Sequence, residues 1–190
     1  MTVHGADDLA ALIRARVTTR PLIIAIDGRS GTGKSTLAAR LAGALDATVI
    51  DGDDFFAGGV EVRTDAPADR ARDCIDWRRQ RPVLEALRAG EVARYHAFDW
   101  DAFDGSLEAE ATEHAPRPII LFEGVYTARP ELSDLLDLRV LVEVPDDVRL
   151  ARLRSREGAI GPWERQWHEA ELWYFAHAAP PPGFDVIVES

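Results

Sequence analysis

The stretch IAIDGRSGTGKSTLAARL, Ile24 to Leu41, leaves few folds open. An apolar segment of strand length runs into a glycine-rich turn and then into an alanine- and leucine-rich segment of helical composition. Gly28-x-x-x-x-Gly33-Lys34-Ser35 has the spacing in which backbone N–H groups surround phosphate oxygens, a lysine reaches the terminal phosphates and a hydroxyl ligates Mg2+. The helix that follows adds the partial positive charge of its N-terminus. The expected phosphate contacts are Gly28, Ser30, Gly31, Thr32, Gly33, Lys34, Ser35 and Thr36, with Ser35 also a metal ligand. Lys34 is the one lysine among 22 lysine and arginine residues, which fits a position needing a compact, rotatable ammonium rather than a flat guanidinium.

Around this turn, apolar runs at 21–26, 48–50, 118–122, 138–144 and 184–188 read as buried strands. Helical patterns at 6–16, 34–45, 76–89, 146–156 and 163–176 alternate with them. Continuous apolar strands interleaved with helices indicate a parallel sheet covered on both faces, an α/β architecture. Residues 60–75 are polar and without clear period, and 91–117 combine an extended Tyr95–Trp100 stretch with an acidic surface loop. At 190 residues with 46% hydrophobic content, one domain spanning 1–190 is expected.

The net charge of −11 disfavours nucleic acid as a partner, although phosphate can still be bound locally. No apolar run approaches the ~20 residues of a membrane span, and no secretory leader is visible, so a cytoplasmic location is expected. The single cysteine, Cys74, excludes an internal disulfide and any cysteine-rich metal site. Nothing in the sequence fixes an oligomeric state.

Ligands of a parallel α/β sheet sit beyond the carboxyl ends of its strands. Acids fall there after three of the expected strands: Asp27, the group Asp51/Asp53/Asp54, and Glu123. Phosphoryl transfer needs Mg2+ across the phosphates, a carboxylate to orient or deprotonate the acceptor, and cations to take up moving charge. Glu123 suits the metal site, and Asp53 or Asp54 the base. A calcium-loop reading of Asp51-Gly-Asp-Asp-Phe fails because Phe55 stands where an oxygen ligand is required. Arg149, Arg152 and Arg156 share a helix face, either solvated or covering the transferring phosphate, and 158–162 reads as a hinge. Trp163, Trp167, Ala170 and Tyr174 form a packing stripe. A guanine reader of the Asn-Lys-x-Asp kind cannot exist in a chain with no asparagine and one lysine, so ATP is the expected nucleotide.

With the phosphate loop, Asp53-Asp-Phe-Phe56, Phe122-Glu-Gly124 and the segment 146–153 in that order, the chain resembles the uridine kinase family of P-loop kinases. Nicotinamide riboside kinases are similar at Asp53–Phe56. The resemblance covers about 21–188 and implies a three-layer α/β/α P-loop fold with a five-stranded parallel sheet and a short helical lid near 149–165. It further implies transfer of the γ-phosphoryl group of ATP, with Mg2+, to a hydroxyl. By position, Asp53 is similar to the catalytic base, Lys34 to the phosphate-binding lysine, and Arg152 and Arg156 to lid arginines. Ser35 and Glu123 correspond to the Mg2+ site, and Asp76, Tyr95 and His96 to the acceptor site. The segments after Arg156 and at Tyr95–Trp100 depart from the uridine kinase pattern. The acceptor therefore stays open between a nucleoside and another alcohol such as a vitamin precursor or an antibiotic, with a non-kinase ATP switch as a further alternative.

Overall fold

A computed structural model describes residues 1–189, the side chain of Glu157 excepted. Strands β1 (Thr2–Val3), β2 (Leu22–Asp27), β3 (Ala47–Asp51), β6 (Ile119–Glu123), β7 (Leu138–Glu143) and β8 (Val186–Glu189) form one parallel sheet in the order β1-β8-β7-β2-β6-β3. The sheet thus has six strands where five were expected. The additional one is the two-residue Thr2–Val3, which pairs with Ile187 and Val188 and is too short to carry a strand-length apolar pattern.

Burial on both sheet faces explains the continuous apolar strands. In β2, Ile24 and Ile26 pack under α1 (Ala6–Arg14) and α2 (Lys34–Ala44) with Leu9, Ile13 and Leu41. Ile23 and Ala25 point the other way, into a core with Leu84, Phe122, Tyr126 and Tyr174. That second layer comprises α3 (Pro67–Asp73), α4 (Trp77–Arg88) and α6 (Pro162–His177). The segment without clear period thus contains α3, which Pro67 opens at its first position. Between α4 and β6 lies an antiparallel hairpin of β4 (Ala93–Tyr95) and β5 (Thr112–His114).

The helix α5 (Asp146–Glu157) carries the arginines of the expected lid. Asp146 and Asp147 at its start and Arg154 and Arg156 at its end complement the helix dipole. Gly158, at φ +77°, stops it. Pro162 then opens α6, whose first turn is closed by Glu164 accepting the Gly161 N–H at 2.7 Å. Among the described residues, no helix is long and apolar enough to cross a membrane.

Candidate active site

The loop from Gly28 to Gly33 crosses the carboxyl end of β2 and enters α2 at Lys34. Helix α5 lies directly on it. A Cβ at Gly31, where φ is +85°, would stand 2.9 Å from the Arg149 carbonyl oxygen and 3.0 Å from Leu153 Cγ, so only glycine permits the contact. Arg149 is buried and donates to the Ser30 carbonyl at 3.3 Å, while Arg152 donates to the Thr32 carbonyl at 3.2 Å. The Lys34 ammonium donates to the Arg29 carbonyl at 3.3 Å.

One cleft of about 270 Å3 unites most of the residues singled out by sequence. Ser30, Gly31, Gly33, Lys34, Ser35 and Thr36 form one wall. Asp53 and Glu123 form the second, and Arg152 and Arg156 the third, with Leu153 between them. Gly28 and Thr32 lie beneath the loop: Gly28 packs on the Val142 carbonyl, and the Thr32 hydroxyl donates to the Arg29 carbonyl at 2.9 Å.

Asp53 reaches the cleft because the Asp51 carboxylate accepts its N–H at 2.9 Å and folds Gly52–Phe55 into a single 3-10 turn. Its Oδ1 is inaccessible to solvent and has no hydrogen-bond partner. Burial, with the neighbouring charges of Asp51 and Glu171, pushes this carboxyl up to about 6 despite the opposing Lys34. Burial, reinforced by Asp51, likewise pushes Glu123 up to about 7, against the Ser35 hydroxyl and Lys34. A hydroxyl and under-neutralised carboxylates beside a phosphate loop fit a hard divalent cation that takes one or two protein oxygens and shares the rest with phosphate and water. Among the described residues, no cluster of three or more histidine, cysteine or acidic side chains forms a complete metal cage.

The acceptor residues inferred from resemblance lie outside this cleft. Asp76 caps α4, accepting the Arg78 N–H at 3.0 Å. Tyr95 and His96 line a separate hollow along the hairpin with Arg78 and Arg79. Tyr95 nevertheless turns its hydroxyl to Asp54 at 2.7 Å, one residue from Asp53, and to His114 Nε2 at 3.2 Å. The exposed His96 ring bonds the Glu108 carbonyl at 2.9 Å.

Asp27 and Glu171 support the site from below. Asp27 is fully buried and accepts from Gly28 N (2.8 Å), Tyr126 N (3.0 Å), Ala128 N (2.9 Å) and the Tyr174 hydroxyl (2.9 Å). It ties the phosphate loop, the turn after β6 and α6 together, and burial outweighs these donors to push its carboxyl up to about 6. Glu171, which sequence reading passed over, is also fully buried and holds Ser30. Its signal is a charge within the Trp163–Tyr174 stripe. That stripe packs as expected, with the Trp163 and Trp167 indoles stacked at 5.8 Å, but the Trp167 indole N–H also donates to Ser30 and the Tyr174 hydroxyl to Asp27.

Two larger cavities flank the loop. One of about 640 Å3, lined by His4, Leu37, Arg40 and Glu189, shares Gly33, Thr36 and Arg152 with the cleft. The other, of about 750 Å3, lies between Arg29, Pro145, Phe175 and Pro181 and has no residue in common with the cleft.

Comparison with known proteins gives this arrangement a family. Residues 23–159, from β2 to the end of α5, match the model of the phosphoribulokinase / uridine kinase family. A uridine kinase of Deinococcus deserti is 27% identical over 145 residues, covering 73% of this chain and 69% of that protein. A thymidylate kinase of Xanthomonas campestris pv. campestris is 34% identical over 160 residues, covering 79% and 68%. The solved structure of a possible uridine kinase from Bacillus stearothermophilus superposes with a TM-score of 0.72 at 22% identity, over 96% of both chains. The phosphate loop, the acids facing it and the arginine helix above it all fall within the matched region, and the chain belongs to the phosphoribulokinase / uridine kinase family of P-loop kinases.

Proposed function

We propose that the chain transfers the γ-phosphoryl group of ATP to a hydroxyl of a small molecule, with a nucleoside the first acceptor to test. The observation that carries this reading is the single cleft in which the phosphate loop, Asp53, Glu123 and two arginines converge. Lys34 and the loop N–H groups hold the phosphates. Asp53 takes the proton of the attacking hydroxyl. A carboxyl at about 6 is ionised at neutral pH, yet more basic than an ordinary aspartate. Arg152 and Arg156 face the phosphate pocket from α5 and neutralise charge that builds on the transferring group.

Ser35 and Glu123 would hold Mg2+, which when bound supplies charge neutralisation across the phosphates. The base of the nucleotide is assigned to the cavity beside Thr36 and Arg152, because that cavity adjoins the phosphate cleft and shares Gly33, Thr36 and Arg152 with it.

A nucleoside acceptor is supported by the family and by the uridine kinase among its relatives. Tyr95 is supported as an acceptor residue by its bond to Asp54, and His96 and Asp76 by position alone. The Asp76 carboxylate, the expected anchor for sugar hydroxyls, caps α4 through Oδ1, and a different alcohol is the second reading because Tyr95–Trp100 departs from the uridine kinase pattern. Incubation of the protein with ATP, Mg2+ and a panel of nucleosides and other alcohols, followed by mass spectrometry, is expected to yield one class of monophosphate. Acceptor-independent ATP turnover stimulated by another protein would overturn the kinase reading in favour of a switch.

A further inference from the structure

We propose that Glu171 is a positioning residue for phosphoryl transfer, acting on Lys34 through the Arg29–Ser30 peptide. The proposal rests on the nucleotide site described above. Glu171 Oε1 accepts the Ser30 N–H at 2.8 Å. The carbonyl of the same peptide unit, that of Arg29, accepts the Lys34 ammonium at 3.3 Å. Because a trans peptide is planar with its N–H and C=O directed oppositely, a group that fixes one end fixes the other. A carboxylate and an ammonium thus grip one amide from its two sides, and each charge polarises the amide in the sense that strengthens the bond at the far end.

The environment of Glu171 fits that task. It is fully buried, and its Oε1 also accepts the Ser30 hydroxyl and the Trp167 indole N–H, the latter at 2.9 Å. Its Oε2 has no hydrogen-bond partner and lies 4.0 Å from Arg29 Nε, which has none either. Burying a carboxylate is costly, and an apolar residue would complete the aromatic stripe at lower cost. The position is explained by orientation of the loop. Helix α6 also places Trp167 against Phe56, three residues after Asp53, at 5.9 Å between ring centroids. One helix therefore braces both the phosphate loop and the segment bearing the base.

The test uses the fact that Lys34 is the sole lysine, so protein labelled with 13C at lysine Cε gives one side-chain signal. That signal is expected to move in Glu171→Gln and further in Glu171→Ala, without nucleotide added. With ATP and Mg2+, Glu171→Ala should weaken nucleotide affinity and lower kcat, each by about tenfold, with Glu171→Gln intermediate because its amide oxygen still accepts the Ser30 N–H. An unmoved lysine signal, or a drop in Tm with affinity and kcat within about twofold of the parent, overturns the proposal. If Glu171→Ala fails to fold, Glu171→Gln and Trp167→Phe carry the same comparison. A parent protein that binds no nucleoside triphosphate would instead overturn the nucleotide-site reading, whatever the lysine signal does.

Discussion

Gly124 leaves room for Asp53: a Cβ at position 124 would stand 3.2 Å from Asp53 Oδ1 and 3.1 Å from the Gly52 Cα, and Gly124 has φ +141°. The turn after β6 is therefore shaped around the carboxylate that follows β3. Gly124→Ala should displace that carboxylate while leaving the phosphate loop intact. A misplacement on the order of 1 Å costs about 100-fold in rate, so the few tenths of an ångström demanded here should cost about 3- to 10-fold. Steady-state kinetics should show a fall of that order in kcat, with the ATP dissociation constant from calorimetry nearly unchanged. A variant with parental kcat would detach Gly124 from the chemistry.

Asp53→Asn should keep ATP affinity and lose about 100- to 10,000-fold in transfer, the range for a general base. The pH profile carries the same assignment. The base must be ionised, so kcat/KM is expected to fall as pH drops through about 6, and the Asn variant should lack that limb. Stability should respond with the opposite sense. The folded-state value lies above the ordinary 3.8, so the fold binds the proton more tightly than the unfolded chain, and stability is lost as pH rises from 3.8 to about 6, with the full penalty in place above that. Asp53→Asn is therefore expected to raise Tm at pH 7.5, with the gain fading as pH falls toward 4. Equal Tm differences at both pH values would contradict a buried, repelled carboxylate.

How much of this was legible in sequence follows from how local each signal is. The phosphate loop is written in eight consecutive residues, and β2, β6 and β7 in continuous apolar runs, so the loop, a parallel sheet covered on both faces and acids at its strand ends are legible. Arg152 and Arg156 share a face because a helix has a fixed period, and both line the cleft. The failures are non-local. β1 exists only through its partner β8, and the hairpin β4–β5 closes over a sixteen-residue loop, 96–111, with no period of its own. Glu171 and Asp27 matter for what they meet 141 and about 100 residues away, which no spacing rule encodes.

The two cavities beside the phosphate loop make opposite predictions for the donor base. A base in the cavity that shares Gly33, Thr36 and Arg152 with the cleft lies near His4, Arg40 and Glu189. A base in the other lies near Pro145, Phe175 and Pro181. Photolabelling with an azido-adenine ATP analogue and peptide mapping is expected to mark residues 4–6, 36–40 or 188–189. Label on 141–146, 175 or 181 would move the base to the opposite side of the loop. If the expected label is found, His4, Gly5 and Ala6, which lie outside the family match at 23–159, help to shape a substrate pocket.

Arg152 and Arg156 stand one helical turn apart, yet their surroundings differ, and so should the effects of removing them. Arg152 lines both the phosphate cleft and the cavity proposed for the base, and its guanidinium donates to the Thr32 carbonyl. Arg156 lines the phosphate cleft without reaching that cavity. Arg156→Ala should consequently lower kcat by about 10- to 1,000-fold while ATP affinity changes little, because its charge is needed most where negative charge accumulates in the transition state. Arg152→Ala should raise the ATP dissociation constant as well as lower kcat. Measuring kcat and calorimetric affinity on both variants separates the two roles. A loss in Arg156→Ala confined to ATP affinity would mean that this arginine binds the ground state, and the stabilising charge in transfer would then have to come from Arg152 and Lys34 alone.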